Sequence, residues 1–504
     1  MKNPSRPSKS FAPTARWFAG AACLVSFLIG SLAFIHSTKQ GARRPNVLFI
    51  FADDQRADAL GASGNKVIRT PNIDRIAKSG TRFSNCYVMG GHHGAICAPS
   101  RAMLMSGKSL FHVYDVLAGI HTMPMHFAEN GYETFGTGKW HNGAETFEAS
   151  FQKGKAVMLG GMSDHFQVPV RDLDASRKLG APVVRGFSTD IFTEAALSYI
   201  DEYAKGDNNN PFFCYVAYTA PHDPRSPRTD YIGMYPDQNI PLPGNYKKYH
   251  PFNYGEMQVR DENLTDWPRT PEIIRATLAD YYALISHMDT KVGEVVKSLK
   301  DNGLYENTII VYAADNGLAV GSHGLLGKQS LYEHSMKVPF IIAGPGIPEN
   351  RVSDALVYLY DIFPTLASLT GLPKPQSVDG LSLSEVISGK AGGVRESLFT
   401  AYWHLVRAVR DREWKLIRYP ERDYTQVFNL KKDPLELENL AGKPAYRAKE
   451  EQLKKLLIQW QGQTGDTLSY TAKKVLPMDY QPEKFERTMD AHQPKYTQDK
   501  YFKK

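Results

Sequence analysis

The chain has 504 residues, 42% hydrophobic and 22% charged, a composition that excludes a disordered polymer and suits one large α/β unit with a smaller companion. Its formal charge of +7 resides in Lys2, Arg6, Lys9, Arg16, Lys39, Arg43 and Arg44, which all precede the first acidic residue, Asp53. From residue 45 onward acid and base balance, which argues against a nucleic-acid partner, since that partner needs a basic excess on the folded body.

Trp17 to Ile35 is uncharged and almost wholly apolar, and it follows a basic segment with no acid. This is the pattern of an export signal. Its length lies between a secretory apolar region and a membrane span, so cleavage after Ala33 or Ser37 competes with an uncleaved anchor. The expected location is periplasmic or secreted, with membrane attachment only if the segment is retained. Cys23 sits inside the segment without a convincing lipobox, and the pairing of Cys86 and Cys214 is left open.

Residues 46–51 (NVLFIF), 212–217 and 308–312 (TIIVY) are short continuous apolar runs, as expected of strands buried on both faces. They lead into Asp53-Asp54, Pro221-His222 and Asp315-Asn316-Gly317 respectively. In a doubly wound sheet the carboxyl ends of parallel strands border the ligand crevice, so these groups are expected on one edge. Between the strands, Leu278, Tyr282, Ile285, Met288, Val292, Val295 and Leu299 recur at helical spacing until Asn302-Gly303. Further helices are expected from Ser188-Thr189-Asp190 and over 361–369, with a strand at 340–342; the alternation predicts an α/β fold. Beyond a Gly-rich stretch at 390–395, short alternating runs at 398–403, 405–409, 414–418 and 427–430 predict an antiparallel sheet, with a helix over 445–460 packed on it. Residues 143–187 and 221–270 read as long insertions near the crevice. The predicted organisation is an export signal or anchor (1–37), a linker (38–44), a catalytic domain (45–392), a C-terminal antiparallel-sheet subdomain (393–470) and a polar, wrapping or mobile tail (471–504).

Cys97-Ala98-Pro99-Ser100-Arg101 joins a potential nucleophile, a helix start and a fixed cation. Pro99 suits a first helical turn, Ala102 to Met105 continue it, and Gly107 ends it. Cys97 would then lie at the positive end of the helix, where free N–H groups and Arg101 favour an oxyanion. The alternative is a buried structural cysteine. Asp53, Asp54, Asp315 and Asn316 offer only oxygen, which suits a hard divalent cation, calcium before magnesium, and argues against zinc.

The pentapeptide resembles the Cys-x-Pro-Ser-Arg signature of the type I sulfatases, members of the alkaline-phosphatase-like superfamily. Gly138-Lys139-Trp140-His141, Ala220-Pro221-His222 and Lys328 within GKQSLYE resemble further blocks of that family in the same order, and Val427-Phe428-Asn429-Leu430 with Asp433-Pro434 resembles its closing stretch. The likeness runs from about residue 44 to 440. It implies an α/β/α sandwich with a mostly parallel central sheet, plus a smaller C-terminal α+β subdomain with an antiparallel sheet. It also implies that a formylglycine-generating enzyme oxidises Cys97 to formylglycine, whose hydrate attacks a sulfate ester.

By the same resemblance, Asp53, Asp54, Asp315, Asn316 and the modified Cys97 would hold one Ca2+ per chain. Arg101 and Lys139 would steady formylglycine and sulfate, and His141 would be the base that breaks the sulfated hydrate. His222 would protonate or orient the leaving alcohol, with Lys328 at the bridging oxygen. Arg101, Lys139 and Lys328 offset three aspartates, so calcium makes the pocket net cationic, as a sulfate monoester requires. Analogy suggests a sulfated polysaccharide or oligosaccharide as substrate. A formylglycine-dependent phosphonate monoester or phosphodiester hydrolase is the nearest rival, and a non-catalytic envelope or glycan-binding protein with unmodified Cys97 is another. His92, His93, Trp403, His404 and Arg407 are expected substrate contacts, an aromatic face being suited to a sugar ring. His287 and His334 are assigned to packing.

Overall fold

The computed structural model describes residues 43–94, 96–206 and 209–502; the apolar segment at 17–35 and Cys23 lie outside them. In chain order the strands are β1 (Asn46–Ala52), β2 (Gly80–Tyr87), β3 (Gly90–Gly91), β4 (Glu133–Lys139), β5 (Lys153–Met158), β6 (Pro169–Val170), β7 (Val183–Val184) and β8 (Phe212–Ala217). There follow β9 (Thr308–Ala314), β10 (Lys337–Ala343), β11 (Arg351–Ser353), β12 (Val357–Tyr358), β13 (Leu398–Tyr402), β14 (Val406–Arg410), β15 (Trp414–Tyr419) and β16 (Tyr424–Asn429).

The apolar runs make the middle of the main sheet because only fully buried strands tolerate apolar side chains on both faces. Every residue of β1, β8 and β9 is buried. The order is β11-β2-β10-β9-β1-β8-β4-β5, with β12 beside β2. β1 is parallel to both β8 and β9, and β4 to both β5 and β8. Only β10 runs against its neighbours, β9 and β2. The helices Pro71–Lys78, Ser188–Lys205 and Pro271–Asp301 form one packed group; Cys97–Ser106, Met123–Glu129 and Ile362–Leu369 form another. The long helix buries Leu278, Ile285, Met288, Val292, Val295 and Leu299. It begins earlier than that periodicity suggests, where the Thr270 hydroxyl accepts from the Ile273 N–H and Pro271 opens the first turn.

The smaller sheet has the order β16-β15-β14-β13-β3. Its four C-terminal strands are antiparallel, and Arg447–Thr464 packs on β14 and β15. Its fifth strand, β3, comes from just before the nucleophile helix and pairs parallel with β13. Glycine is required there: Gly90 has φ +113°, and a Cβ would sit 1.8 Å from the Ala401 carbonyl oxygen.

One expectation is corrected. Residues 143–187 are not simply an insertion, since they supply β5, the edge of the main sheet, and the β6–β7 ribbon. β2 and β4 were not legible as apolar runs. Of the two alternatives for the tail, wrapping fits: Asn253 N–H donates to the Met478 carbonyl at 2.7 Å and Tyr501 Oη donates to Asp280 Oδ2 at 2.6 Å. Cys86, Cys97 and Cys214 are all buried and free.

Candidate active site

β1, β4, β8 and β9 run parallel, so Asp53-Asp54, Lys139, the segment leading to His222, and Asp315-Asn316 emerge at one sheet edge. Backbone bonds fix their spacing: Asp53 N–H donates to Ala220 O (3.1 Å) and Asp315 N–H to Ala52 O (3.3 Å). Asp54 has φ +63°, a left-handed conformation that aspartate tolerates better than most residues. Its N–H donates to Asp315 Oδ1 at 3.0 Å.

Cys97 opens a helix, Cys97–Ser106, in which every residue is buried and which Gly107 closes at φ +67°. Lys328 Nζ lies 2.9 Å from Cys97 Sγ and 2.6 Å from Asp54 Oδ1. Burial pushes the Cys97 thiol well up against the opposing pull of Lys139 and Lys328. As cysteine, residue 97 is therefore a protonated thiol at neutral pH. One turn on, Arg101 puts both Nε and Nη2 at 2.9 Å from Asp315 Oδ2, while Nη1 donates to the Lys139 carbonyl at 2.7 Å. Lys139 Nζ meets Asp53 Oδ2 at 2.5 Å. Gly138, at φ +87°, precedes it because a Cβ there would lie 1.8 Å from Ala217 O. The register of β4 against β5 also slips at this point.

Three carboxylates thus alternate with three fixed cations, yet two oxygens are left over. Asp53 Oδ1 and Asn316 Oδ1 are buried without a hydrogen-bond partner, an arrangement that costs free energy unless something completes it. Candidate ligand atoms of Asp53, Asp54, Cys97 and His222 lie within 4.8 Å of one another. Orphaned oxygens beside the Asp54 carboxylate fit a hard divalent cation. Asp315 is differently placed, with its two oxygens taken by Asp54 N–H and Arg101.

His141 has φ +68° and a buried Nδ1 without a partner. Burial, reinforced by Lys139, Arg101 and Lys328, pushes its pKa down to about 2, so the ring is neutral. Gly161 packs against it: a Cβ on Gly161 would lie 2.6 Å from His141 Nε2. His222 donates from Nδ1 to the Asp223 carbonyl at 2.7 Å, with Asp223 Oδ1 at 3.3 Å. This leaves Nε2 facing Asp54 Oδ2 at 3.5 Å.

The expected substrate contacts divide. His92 meets the Leu110 carbonyl at 2.7 Å and His93 meets Asp115. Arg407 is consumed by Asp466 (2.7 and 2.9 Å) and the Trp403 carbonyl (2.6 Å), so its guanidinium is not free for sulfate, contrary to expectation. Trp403 is 43% exposed, packs on exposed His404, and holds φ +46° while its N–H donates to Gly91 O at 2.8 Å. Sequence reasoning missed Asp261 and Gln329. Gln329 Nε2 bonds Asp261 Oδ2 (2.8 Å) and the Gly94 carbonyl (2.9 Å), tying the loop before Cys97 to the Lys328 segment. Adjacency to Lys328 was the only signal for Gln329. Asp261 gave none.

The Sulfatase family model matches residues 45–372. The chain belongs to the sulfatase family. It is therefore a sulfuric ester hydrolase. A model of the N-sulphoglucosamine sulphohydrolase C-terminal region matches residues 321–463 of this sulfatase. An N-acetylglucosamine-6-O-sulfatase of Bacteroides thetaiotaomicron is 27% identical, over 85% of this chain and 88% of its own. An arylsulfatase of Clostridium perfringens is 28% identical, over 82% and 94%. A solved structure in complex with its substrate D-glucosamine-2-N,6-O-disulfate superposes with TM-score 0.72 at 25% identity, covering 84% of this sulfatase and 99% of that chain. The phosphonate monoester hydrolase of Agrobacterium radiobacter shares the fold, with TM-score 0.68 at 22% identity over 84% and 96%.

Proposed function

We propose that this sulfatase is an exported, calcium-dependent enzyme that releases sulfate from a sulfated oligosaccharide or polysaccharide, using formylglycine made from Cys97. The observation that carries the reading is the gathering of Asp53, Asp54 and Asn316 oxygens beside residue 97, ringed by Arg101, Lys139 and Lys328. The glycan is supported by the 6-O-sulfatase relative and the disulfated glucosamine in the related structure. Exposed Trp403, on the hairpin paired with β3, supplies an aromatic face suited to a sugar ring.

Asp53, Asp54 and Asn316, with residue 97, would hold the calcium, which would supply positive charge to an anionic ester. Oxidised to formylglycine and hydrated, residue 97 would supply paired hydroxyls for attack on sulfur and for the release of sulfate. Arg101 and Lys139 fix the carboxylates so that the oxygens need not reorganise during reaction. Lys328 stands 2.9 Å from the residue 97 side chain, where it supplies a positive charge beside the reacting group. His222 donates a proton to the departing alcohol from Nε2, and neutral His141 takes the proton whose loss expels sulfate.

Assaying sulfate release from a panel of sulfated glycans tests the substrate class, and peptide mass spectrometry over residue 97 tests the modification. Only unmodified cysteine in protein from the native cell would support the non-catalytic alternative. Sulfate, phosphodiester and phosphonate esters of one chromogenic alcohol separate the phosphorus alternative; preference for phosphorus at saturating calcium overturns the sulfatase reading of the site.

A further inference from the structure

The tail beyond residue 463 lies outside both family matches, yet it reaches the site through one unbroken series of charged contacts. Asp490 pairs with Arg260 Nε. The Nη groups of Arg260 engage both carboxylate oxygens of Asp223, Nη1 at 3.2 Å from Oδ1, and Nη1 also meets Asp261 Oδ1 at 3.1 Å. Asp223 in turn receives His222 through its carbonyl and its carboxylate. The Arg260 side chain is one-third exposed, whereas Asp223 is 4% exposed. An arginine this open has rotamer freedom to lose. Taking up its Nε fixes the fork, so that both Nη groups face Asp223.

The far end is itself anchored. Asp490 Oδ1 accepts from His492 N–H at 2.8 Å. Arg487 donates to the carbonyls of Asn263 (2.7 Å), Leu264 (3.0 Å) and Tyr501 (2.6 Å). Behind Asp223, the tail residues Gln493, Thr497 and Tyr501 close a small cavity with Arg225. The tail is thus built against the wall that carries His222.

We propose that the tail is a working part of the active site, in which Asp490 is a positioning residue that holds His222 at the reacting bond through Arg260 and Asp223. The proposal rests on the reading of His222 as proton donor to the leaving alcohol. Proton donation matters most when the alcohol leaves poorly, which gives a readout that mere structural support would not move.

The test compares kcat/KM for an alkyl sulfate and for 4-nitrophenyl sulfate in the matured full-length protein and in its Asp490→Asn, Arg260→Lys and His222→Ala variants. A general acid contributes roughly 10²–10⁴-fold, so misplacing it should lower the alkyl-to-aryl ratio about tenfold in Asp490→Asn. Arg260→Lys keeps the charge but not the fork, and should lower the ratio at least as much, giving a second route if Asp490→Asn does not fold. An unchanged ratio in these variants, with a reduced ratio in His222→Ala, overturns the tail's role alone. An unchanged ratio in His222→Ala overturns the proton-donor reading and the relay with it.

Discussion

Gly161→Ala isolates the contribution of His141 geometry without touching its chemistry. The Gly161 backbone is not left-handed, so alanine adopts it, but the new Cβ would lie 2.6 Å from His141 Nε2 and 2.7 Å from Cε1, where ordinary contact begins at 3.4 Å. The ring must therefore retreat by about 0.8 Å. A misplacement of about 1 Å in a reacting group costs roughly a hundredfold, so kcat should fall about thirty- to a hundredfold. Global stability should change little, because the imidazole is the far end of a side chain that can swing. Because His141 acts after the alcohol has left, the first turnover should still be fast. Stopped-flow release of 4-nitrophenol should show a burst of about one equivalent per active site before the slow steady state. An undiminished kcat, or a first turnover slowed as much as later ones, would refute the assignment of His141 to the second half of the reaction.

Cys97→Ala should fold and still bind a sulfated substrate, measured by calorimetry, but not turn it over; retained turnover refutes the nucleophile. Chelation should abolish activity and lower the melting temperature, and added calcium should restore both, because a ligand bound only by the folded state stabilises it by mass action. Arg101→Gln leaves Asp315 without its cation in a fully buried setting, so chemical denaturation should show a loss of roughly 3–5 kcal/mol. His250 is buried, donates from Nδ1 to the His323 carbonyl, and is held at a pKa of about 4 chiefly by burial. The unfolded chain binds that proton from about pH 6.5 downward, so stability is complete above pH 6.5 and is lost as pH falls toward 4. The loss should be roughly 3 kcal/mol, and a His250→Asn variant should show a flatter profile in denaturation measured across that range.

What could be read in the sequence was what local pattern dictates. The unbroken apolar runs of β1, β8 and β9 named the sheet centre, and parallel pairing carried Asp53, Asp54, Asp315 and Asn316 to one edge. The helix from Cys97 to its Gly107 cap followed from Pro99 and the glycine. β4 (ETFGTGK) and β5 (KGKAVM) escaped because glycine and charge interrupt them; the neighbouring strand, not the segment's own propensity, makes them strands. Arg407 looked available because nothing in a linear pattern reveals that Asp466, on the far side of a helix, claims it. Asp490 and Arg260 are 230 residues apart, and no periodicity links them.

Pairing of β3 with β13 joins residues 90–91 to residues 401–402, and this sets a timetable for synthesis. The thiol of residue 97 ends up 2% exposed, so any maturation enzyme must reach it before the chain closes. During translation that closure waits for some three hundred further residues to leave the ribosome. At about 5–20 residues per second this leaves a window of roughly 15–60 s. The long sequence separation between the two strands would therefore leave time for residue 97 to be modified before it is enclosed.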